Sequence, residues 1–245
     1  MSSNAIWAKH FDDFFFSTRV LPAVTMMFPV LVLAVCKGLV NNQWQEASTT
    51  FALAIVFITF SAYIVREWGK TYEEKMYDKL GGMPTTIIMR FSDDRIDTVS
   101  KQKYHKWFNM HDENYQLPMT LEEELVDALS DSKYNNAMKY LRVRANADRG
   151  KYFRVYQELK KYNYWRSLYG GKKMAITVYV FLILREIYLM DKFAIIEIIE
   201  NPIPKYSVFC GVLLWMVLYC AVVTKKTVER NAFDYAKEVA ETIHI

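Results

Sequence analysis

Cations and aromatic side chains alternate in one stretch of this chain, from Lys139 to Lys173, in which Asp148 and Glu158 are the only acids. Guanidinium groups bind phosphates in a planar geometry, and aromatic rings stack on unpaired bases. This combination predicts a binding site for a polyanion, a nucleotide or single-stranded oligonucleotide. Its candidate residues are Arg142, Arg144, Arg149, Arg154, Lys160, Lys161, Tyr164, Trp165 and Arg166.

Two other interpretations of these residues stay open. A solvated helix face whose aromatic residues enter a core has the same composition, and acids on a neighbouring subunit could pair with the cations. Lys172 and Lys173 need no ligand, because cations and aromatic residues commonly flank a membrane-spanning helix. Near anionic lipid each cation gains about 1 kcal/mol.

Charged residues also lie inside long apolar runs, namely Lys37, Arg185 and Glu186. A charge at membrane depth is costly unless it pairs or meets water. One interpretation is an Arg185–Glu186 packing pair, with the Lys37 amine reaching outward to the membrane surface. The other is a water-filled pathway that the three residues line or gate. Four spans are too few to enclose such a pathway comfortably, so a pore requires several copies of the chain.

Patterns typical of catalysis are not evident in the sequence. The four histidines are scattered, and the triplet His111-Asp112-Glu113 is only a weak metal-ligand signal. The segment GGMPTT lacks the lysine of a phosphate-binding glycine loop. The three cysteines lie in apolar runs without metal-ligand spacing, at Cys36, Cys210 and Cys220. We therefore expect a protein that is not an enzyme and that holds no metal or other cofactor.

Four apolar runs position these residues, at 20–40, 48–65, 174–190 and 206–224. Hydrophobic residues make up 52% of the chain although the mean hydropathy is −0.03, so polar and apolar residues must be segregated. Each run is long enough, or nearly so, to cross a hydrocarbon core of ~30 Å as a helix. Buried helices of a large soluble core are the alternative, but such helices rarely stay apolar on every face. The first run has no small-residue cleavage site and does not resemble a signal peptide.

The charges that flank the runs predict an orientation. The loop 41–47 contains no lysine or arginine, and the loop 191–205 has two cations against three acids. The other flanks carry more lysine and arginine, which favour the cytoplasmic side. We expect a multi-pass protein of the inner (cytoplasmic) membrane with both termini and the long middle segment in the cytoplasm.

The predicted fold is mainly α, a four-helix transmembrane bundle with a mostly helical cytoplasmic domain inserted between spans 2 and 3. An interfacial amphipathic helix comes first and a cytoplasmic helix last, the latter packing on the middle domain or on a neighbouring subunit. The boundaries are 1–19 for the interfacial helix, 20–65 for the first hairpin, 66–173 for the sensing domain, 174–224 for the second hairpin and 225–245 for the C-terminal helix.

Local signals divide the middle segment. Span 2 should continue as a helix to the GGMP turn at 81–84, where glycines accept left-handed backbone angles and proline stops the helix. The following TTIIMRF looks like a short β-rich run. Thr120, with Glu123 three residues on, predicts a helix start. A long helical stretch should run from Lys133 to about Leu168.

An ordered set of motifs covers most of 81–174: GGMPTTIIMRFSD, SKQKYHKWF, LPMTLEEE, KYNNAMKYLRVRANADRGKYF and YNYWRSLYGGKKM. In this order they resemble the membrane effectors of bacterial anti-phage systems, the Hailong system effector family in particular. Arg166 and Gly171 match the family pattern. Ile87 stands where the family often has arginine, Trp165 replaces an arginine and Lys173 a proline, which leaves the details of any ligand site open.

The resemblance implies an oligomeric channel controlled by a DNA oligomer that a neighbouring nucleotidyltransferase makes. It agrees with the prediction from the residues, a homo-oligomer (with a tetramer as one candidate) that binds a nucleotide or single-stranded oligonucleotide and conducts ions across the bilayer. The alternative is a non-conducting, membrane-anchored scaffold that recruits a soluble partner.

Overall fold

The computed structural model describes residues 13–39, 44–112, 114–192 and 202–244, with only the backbone for 37–39, 189–192, 202–208 and 244. These residues are mainly helical, and no strand occurs among them. Most of the expected interfacial helix 1–19, the loop 40–43 and the loop 193–201 lie outside the described residues.

The helices are, in chain order, α1 (Leu21–Leu39), α2 (Trp44–Leu80), α3 (Pro84–Ile87), α4 (Thr98–His111), α5 (Leu121–Val126), α6 (Ser130–Ala147), α7 (Phe153–Gly170), α8 (Lys172–Lys192), α9 (Pro202–Val222) and α10 (Lys225–Glu241). A helical turn at Asp13–Phe15 and a π-helical turn at Phe16–Val20 lead into α1, and a 3-10 turn at Thr242–His244 follows α10.

Two helical stretches are long and apolar enough to cross a membrane, Asp13–Cys36 and Trp44–Ile87. Two bent pairs, α7 with α8 at 53° and α9 with α10 at 49°, raise the number of candidate spans to as many as four. Large apolar side chains on α2 are exposed, among them Leu53, Val56 and Phe60. Such a continuous apolar surface suits lipid and is rare on soluble proteins. The expected mainly helical protein with apolar spans is confirmed at this level.

The chain divides into two compact units. Residues 1–72 and 164–227 form the apolar unit, and residues 73–163 and 228–245 form the polar unit. The helix α10 thus joins the middle segment, and Phe233 and Val239 share a core with Phe108 and Leu141.

Buried hydroxyl groups fasten the helices of the apolar unit to one another. Tyr179 Oη donates to Met26 O at 2.8 Å, and Tyr219 Oη donates to Leu168 O at 2.9 Å. These oxygens lie in an otherwise apolar core, where an unpaired hydroxyl would be costly. Each bond reaches a carbonyl of another helix, so the bonds fix the register of helices whose apolar surfaces alone would slide.

Glycines permit a close crossing where α7 meets α8. A Cβ atom on Gly170 would lie 2.7 Å from Gly69 Cα and 2.8 Å from Val65 O, and one on Gly171 would lie 2.6 Å from Met26 Sδ. Any side chain at 170 would therefore force α2 away. The YGG of the sequence motif is thus a packing feature of the apolar unit.

Lys172 caps the C-terminus of α9. Its Nζ donates to Val223 O at 2.7 Å and to Cys220 O at 3.0 Å, at the C-terminus of α9. The last carbonyls of a helix have no partners within it, and a cation there also meets the negative end of the helix dipole. Lys172, which the sequence suggested as a lipid-facing flank, makes a specific contact within the protein, whereas Lys173 is exposed.

The motifs of the polar unit meet around one turn, at residues 88–93. Lys101 Nζ donates to Arg90 O at 2.6 Å and also to Asp93 O. The two ring nitrogens of buried His105 face Pro118 O at 2.5 Å and Met89 O at 3.0 Å. The sequence pieces SKQKYHKWF and LPMTLEEE therefore serve to hold this turn.

Glu124 and Arg90 complete this polar network. The Glu124 carboxylate accepts Phe91 N at 2.6 Å and the Tyr134 hydroxyl at 2.8 Å. Arg90 forms a two-pronged ion pair with Asp131, with N–O distances of 2.8 and 2.7 Å, and donates to Gly81 O at 2.6 Å. Charge-assisted bonds of this kind are about twice as strong as neutral ones.

Local predictions in this unit meet different outcomes. Gly81 and Gly82 have the expected positive φ angles, 73° and 149°, directly after α2. Thr120 caps α5 by accepting Glu123 N at 3.2 Å, while Glu123 accepts Met119 N at 2.6 Å. The predicted β-rich run TTIIMRF is wrong, because its first residues belong to the short helix α3. Pro84 occupies the first turn of that helix, where its missing N–H costs nothing.

The predicted long helix from Lys133 to Leu168 is also interrupted. It is two helices, α6 and α7, separated at residues 148–152. Asp148 Oδ1 accepts Lys151 N at 2.9 Å, and Asp148 O accepts Tyr152 N at 3.1 Å. An aspartate that binds the backbone ahead of it favours a turn over a continuing helix.

Candidate anion-binding site

The turn between α6 and α7 gathers cations around two tyrosine rings of the polar unit. Arg144 Cζ and Lys151 Nζ each lie 5.3 Å from the centre of the Tyr152 ring. Arg149 Cζ lies 5.1 Å and Lys160 Nζ 5.0 Å from the centre of the Tyr156 ring. Each cation–π contact of this kind contributes about 0.5–1 kcal/mol at an exposed site. We call these four cations and two tyrosines the cation–tyrosine cluster.

A cavity of about 490 Å³ opens beside this cluster. Its wall contains the cations Lys151 and Arg154, and the aromatic rings of Tyr104, Tyr152 and Phe153. Phe153 is 56% exposed, so its ring is available to a planar group that enters. Cations beside an open aromatic ring can hold a phosphate and stack a base at the same time.

Acids also line the cavity. Glu238 and Glu241 line it, and Arg154 donates to Glu238 at 2.8 Å. Partial burial raises the pKa of Glu238 above its ordinary value, and the neighbouring Arg154 opposes that shift. Carboxylates accept from amino or hydroxyl groups, so a ligand with both an anionic end and donor groups matches this wall better than a simple anion does.

The predicted site residues are thus distributed unevenly. Arg144, Arg149 and Lys160 belong to the cation–tyrosine cluster, and Arg154 belongs to the cavity. Lys161 instead pairs with Glu158 at 3.2 Å and lies 3.9 Å from Asp234. The partly buried Arg142 donates to Asn135 Oδ1 at 3.3 Å.

Tyr164, Trp165 and Arg166 belong to the apolar unit, whereas every residue of the cavity wall belongs to the polar unit. The Tyr164 hydroxyl lies 3.1 Å from Thr25 Oγ1, and the Tyr164 ring meets Trp165 edge-on at 5.4 Å. Arg166 is buried. The structure therefore places these three residues in helix packing and does not bring them to the cavity.

The structure describes the side chains of two of the three charged residues within the apolar runs, Arg185 and Glu186. Arg185 donates to Glu186, its neighbour on α8, and both side chains are partly buried. The side chain of Lys37 lies outside the described part of the chain. The pathway role of all three remains a prediction.

Sequence reasoning left out part of the cavity. Lys151 and Phe153 stand inside the basic stretch, where their neighbours had already been singled out. Tyr104, Glu238 and Glu241 come from α4 and α10, and nothing in their local sequence signals a common wall. Only the packing of α4 and α10 against the α6–α7 turn brings them together.

Metal chemistry finds no support in the described residues. No group of three or more histidine, cysteine or acidic side chains among them is placed to hold a metal ion. His111 stacks on Trp107 at 4.7 Å, and its Nε2 lies 3.1 Å from the Tyr140 hydroxyl.

The comparison with protein-family models, with curated proteins and with solved structures finds no match to this chain.

Proposed function

We propose that several copies of this chain form an ion channel in the inner membrane, gated by a nucleotide or single-stranded oligonucleotide. In this proposal each copy crosses the membrane four times and keeps both termini and the polar unit in the cytoplasm. Opening depolarises the cell, and the protein acts as an anti-phage effector beside a nucleotidyltransferase that supplies the ligand. The observation that carries the proposal is the cation–tyrosine cluster beside an aromatic cavity, in a chain whose other unit exposes apolar helices.

The ligand part of the proposal follows from the chemistry of the cavity. Lys151 and Arg154 supply charge for a phosphate, and Phe153 supplies a face for a base. Several phosphates suit the cluster better than one, because Arg144, Arg149 and Lys160 extend the positive surface beyond the cavity. Such a ligand changes the channel only through a difference in its affinity for the open and closed forms.

The conduction part of the proposal rests on α8. The Arg185–Glu186 pair lies within the apolar run 174–190 of α8. At membrane depth such charges are stable only when they pair with each other or meet water or polar groups. At the junction of several copies such a pair can meet water and line a pathway. Lys37 is the third residue that we assign to this pathway.

The rival function is a non-conducting scaffold that holds a soluble partner at the membrane. The acidic wall formed by Glu238 and Glu241 favours this rival, because a basic partner could use it. An enzyme receives no support from any cluster of side chains in the described residues.

Single-channel recording from purified protein in planar bilayers separates the two functions. We expect discrete current steps whose open fraction changes when a short oligonucleotide is added on the side of the polar unit. The double variant Arg185→Leu/Glu186→Leu removes the pair without leaving a lone charge and should change the conductance. Its matched control is Leu184→Ala, at an exposed position of the same helix. Silence of the wild type with and without oligonucleotide would favour the scaffold.

Binding of a labelled oligonucleotide tests the cluster independently of conduction. The affinity should fall steeply with salt, with a logarithmic slope of about −0.7 per phosphate contacted. Arg144→Gln and Lys151→Gln should each weaken binding and flatten this slope, whereas Lys161→Gln, at a cation that pairs with Glu158, should change little. Binding that is insensitive to salt, or equal in all three variants, would remove the polyanion site.

A further inference from the structure

An acidic and apolar surface lies at the start of α6. Leu125, Val126 and Leu129 are 75%, 86% and 63% exposed, although all three are large apolar residues of the polar unit. Glu122 and Glu123 are exposed beside them. Asp127 and Asp131 also lie on this surface, paired with Lys133 and Arg90, whereas Glu124 is buried below it. We call this surface the acidic face. Exposed apolar residues rimmed by charge mark interaction surfaces.

A basic and apolar surface lies at the other end of the same helix. Val143 is 61% exposed beside Arg144, and the chain continues through Arg149 and Lys151 to the exposed Phe153. We call this surface the basic face. The 18 residues of α6 separate the two faces by about 27 Å at 1.5 Å per residue, so one copy cannot close them onto each other.

We propose that the acidic face of one copy docks on the basic face of the next copy, so that the polar units assemble head to tail. The charges are complementary, and each face offers apolar side chains that would lose water on contact. Contacts between two different faces of identical chains produce a ring when the rotation closes. The inference rests on the proposed assembly of several copies, and it requires neither conduction nor a ligand.

Lipid is a less suitable occupant of the acidic face. Anionic headgroups attract cations and repel the carboxylates of Glu122 and Glu123. A second copy of this chain, in contrast, carries the required cations at a fixed place on its surface.

Disulfide cross-linking of the full chain in membranes tests this contact. Cys36, Cys210 and Cys220 are first replaced by serine, and Val126→Cys and Val143→Cys are then introduced together. We expect a ladder of cross-linked species under mild oxidation. Val126 precedes α6 and Val143 lies about 20 Å along that helix from Ser130, so the two cysteines are not placed to bridge within a copy. Each single variant should give no ladder alone, and the two co-expressed single variants should give a dimer. The matched control pairs Val126→Cys with Met110→Cys, which replaces a methionine that is 77% exposed in the same unit.

Charge reversal supplies the second arm of the test. Glu122→Arg or Arg144→Glu alone should reduce the ladder several-fold, and the two reversals together should restore it. Dimers from a single-cysteine variant would indicate a symmetric contact and overturn the head-to-tail arrangement. If no ladder forms and brominated lipid quenches a fluorophore attached to the V126C chain, the acidic face lies on the membrane instead. Both readouts are independent of current, so a silent channel would leave this inference standing.

Discussion

His105 is buried in the polar unit, and each of its two ring nitrogens faces a backbone carbonyl. Burial lowers the pKa of His105, and the hydrogen bonds to Pro118 O and Met89 O and the charge of Glu124 oppose that shift. A neutral ring can donate an N–H to only one of the two carbonyls, and a protonated ring to both. Because both carbonyls belong to segments that carry sequence motifs, the ring holds the 88–93 turn to the chain before α5.

Acid should therefore destabilise the polar unit through this residue. The pKa of His105 is lowered on folding, so the unfolded chain binds its proton first as pH falls below the ordinary histidine pKa of about 6.5. Folding stability should fall with pH from that value downward. The thermal midpoint of the purified protein, measured between about pH 7 and pH 5, should drop less steeply in His105→Gln than in the wild type. His111→Gln, at an exposed ring, should keep the wild-type slope, and equal slopes in all three proteins would contradict this assignment.

At the scale of one helix, the two lysines at the start of α8 offer a matched pair. Lys172 donates to two carbonyls at the end of α9, whereas the side chain of its neighbour Lys173 is exposed. Lys172→Met should destabilise the protein by about 1.5–3 kcal/mol, the range for hydrogen bonds that involve a charged group. Lys173→Met should cost little. Thermal unfolding in detergent, followed by size-exclusion chromatography, measures both losses, and equal losses would mean that the two bonds of Lys172 add no stability.

The crossing of α2 with the α7–α8 junction predicts a second difference. A methyl group at Gly170 has no space beside Gly69, and overpacking of this kind costs about 1–3 kcal/mol. Gly211 lies within α9 with no atom within 4 Å of an added Cβ. Gly211→Ala should therefore be neutral or slightly stabilising, because alanine favours helices. Gly170→Ala should lower the thermal midpoint by several degrees; a midpoint as high as that of Gly211→Ala would show that the helices separate without cost.

How far the sequence predicts these elements depends on whether the signal is local. The cap at Thr120, the left-handed glycines at 81 and 82 and the apolar helices depend on neighbouring residues, and the structure confirms them. The break at 148–152 was missed although Asp148 and Gly150 favour a turn, because the tyrosines and cations on both sides have ordinary helix propensity. The contribution of α10 to the cavity wall was missed because it is purely tertiary.

At the scale of the whole chain, we assign two roles to one basic stretch of the sequence. The basic stretch from Arg144 to Arg154 is the proposed ligand surface and also the proposed docking surface for a neighbouring copy. Carboxylates on a neighbour would lie against these cations when no ligand is present, and phosphates would replace them when it is. This exchange supplies what gating requires, a ligand that binds one arrangement of copies better than another.

The exchange predicts that ligand and neighbour compete. In the cysteine pair Val126→Cys/Val143→Cys, a short single-stranded oligonucleotide should lower the yield of cross-linked ladder in step with its own binding curve. An uncharged oligonucleotide analogue of the same length should leave the ladder unchanged, because it offers bases to Phe153 but no phosphates to Arg144 and Lys151. Raising the salt concentration should weaken both contacts, since both depend on charge. A ladder that persists while oligonucleotide saturates the protein would mean that the two surfaces are separate, and that any gating acts without breaking the contact between copies.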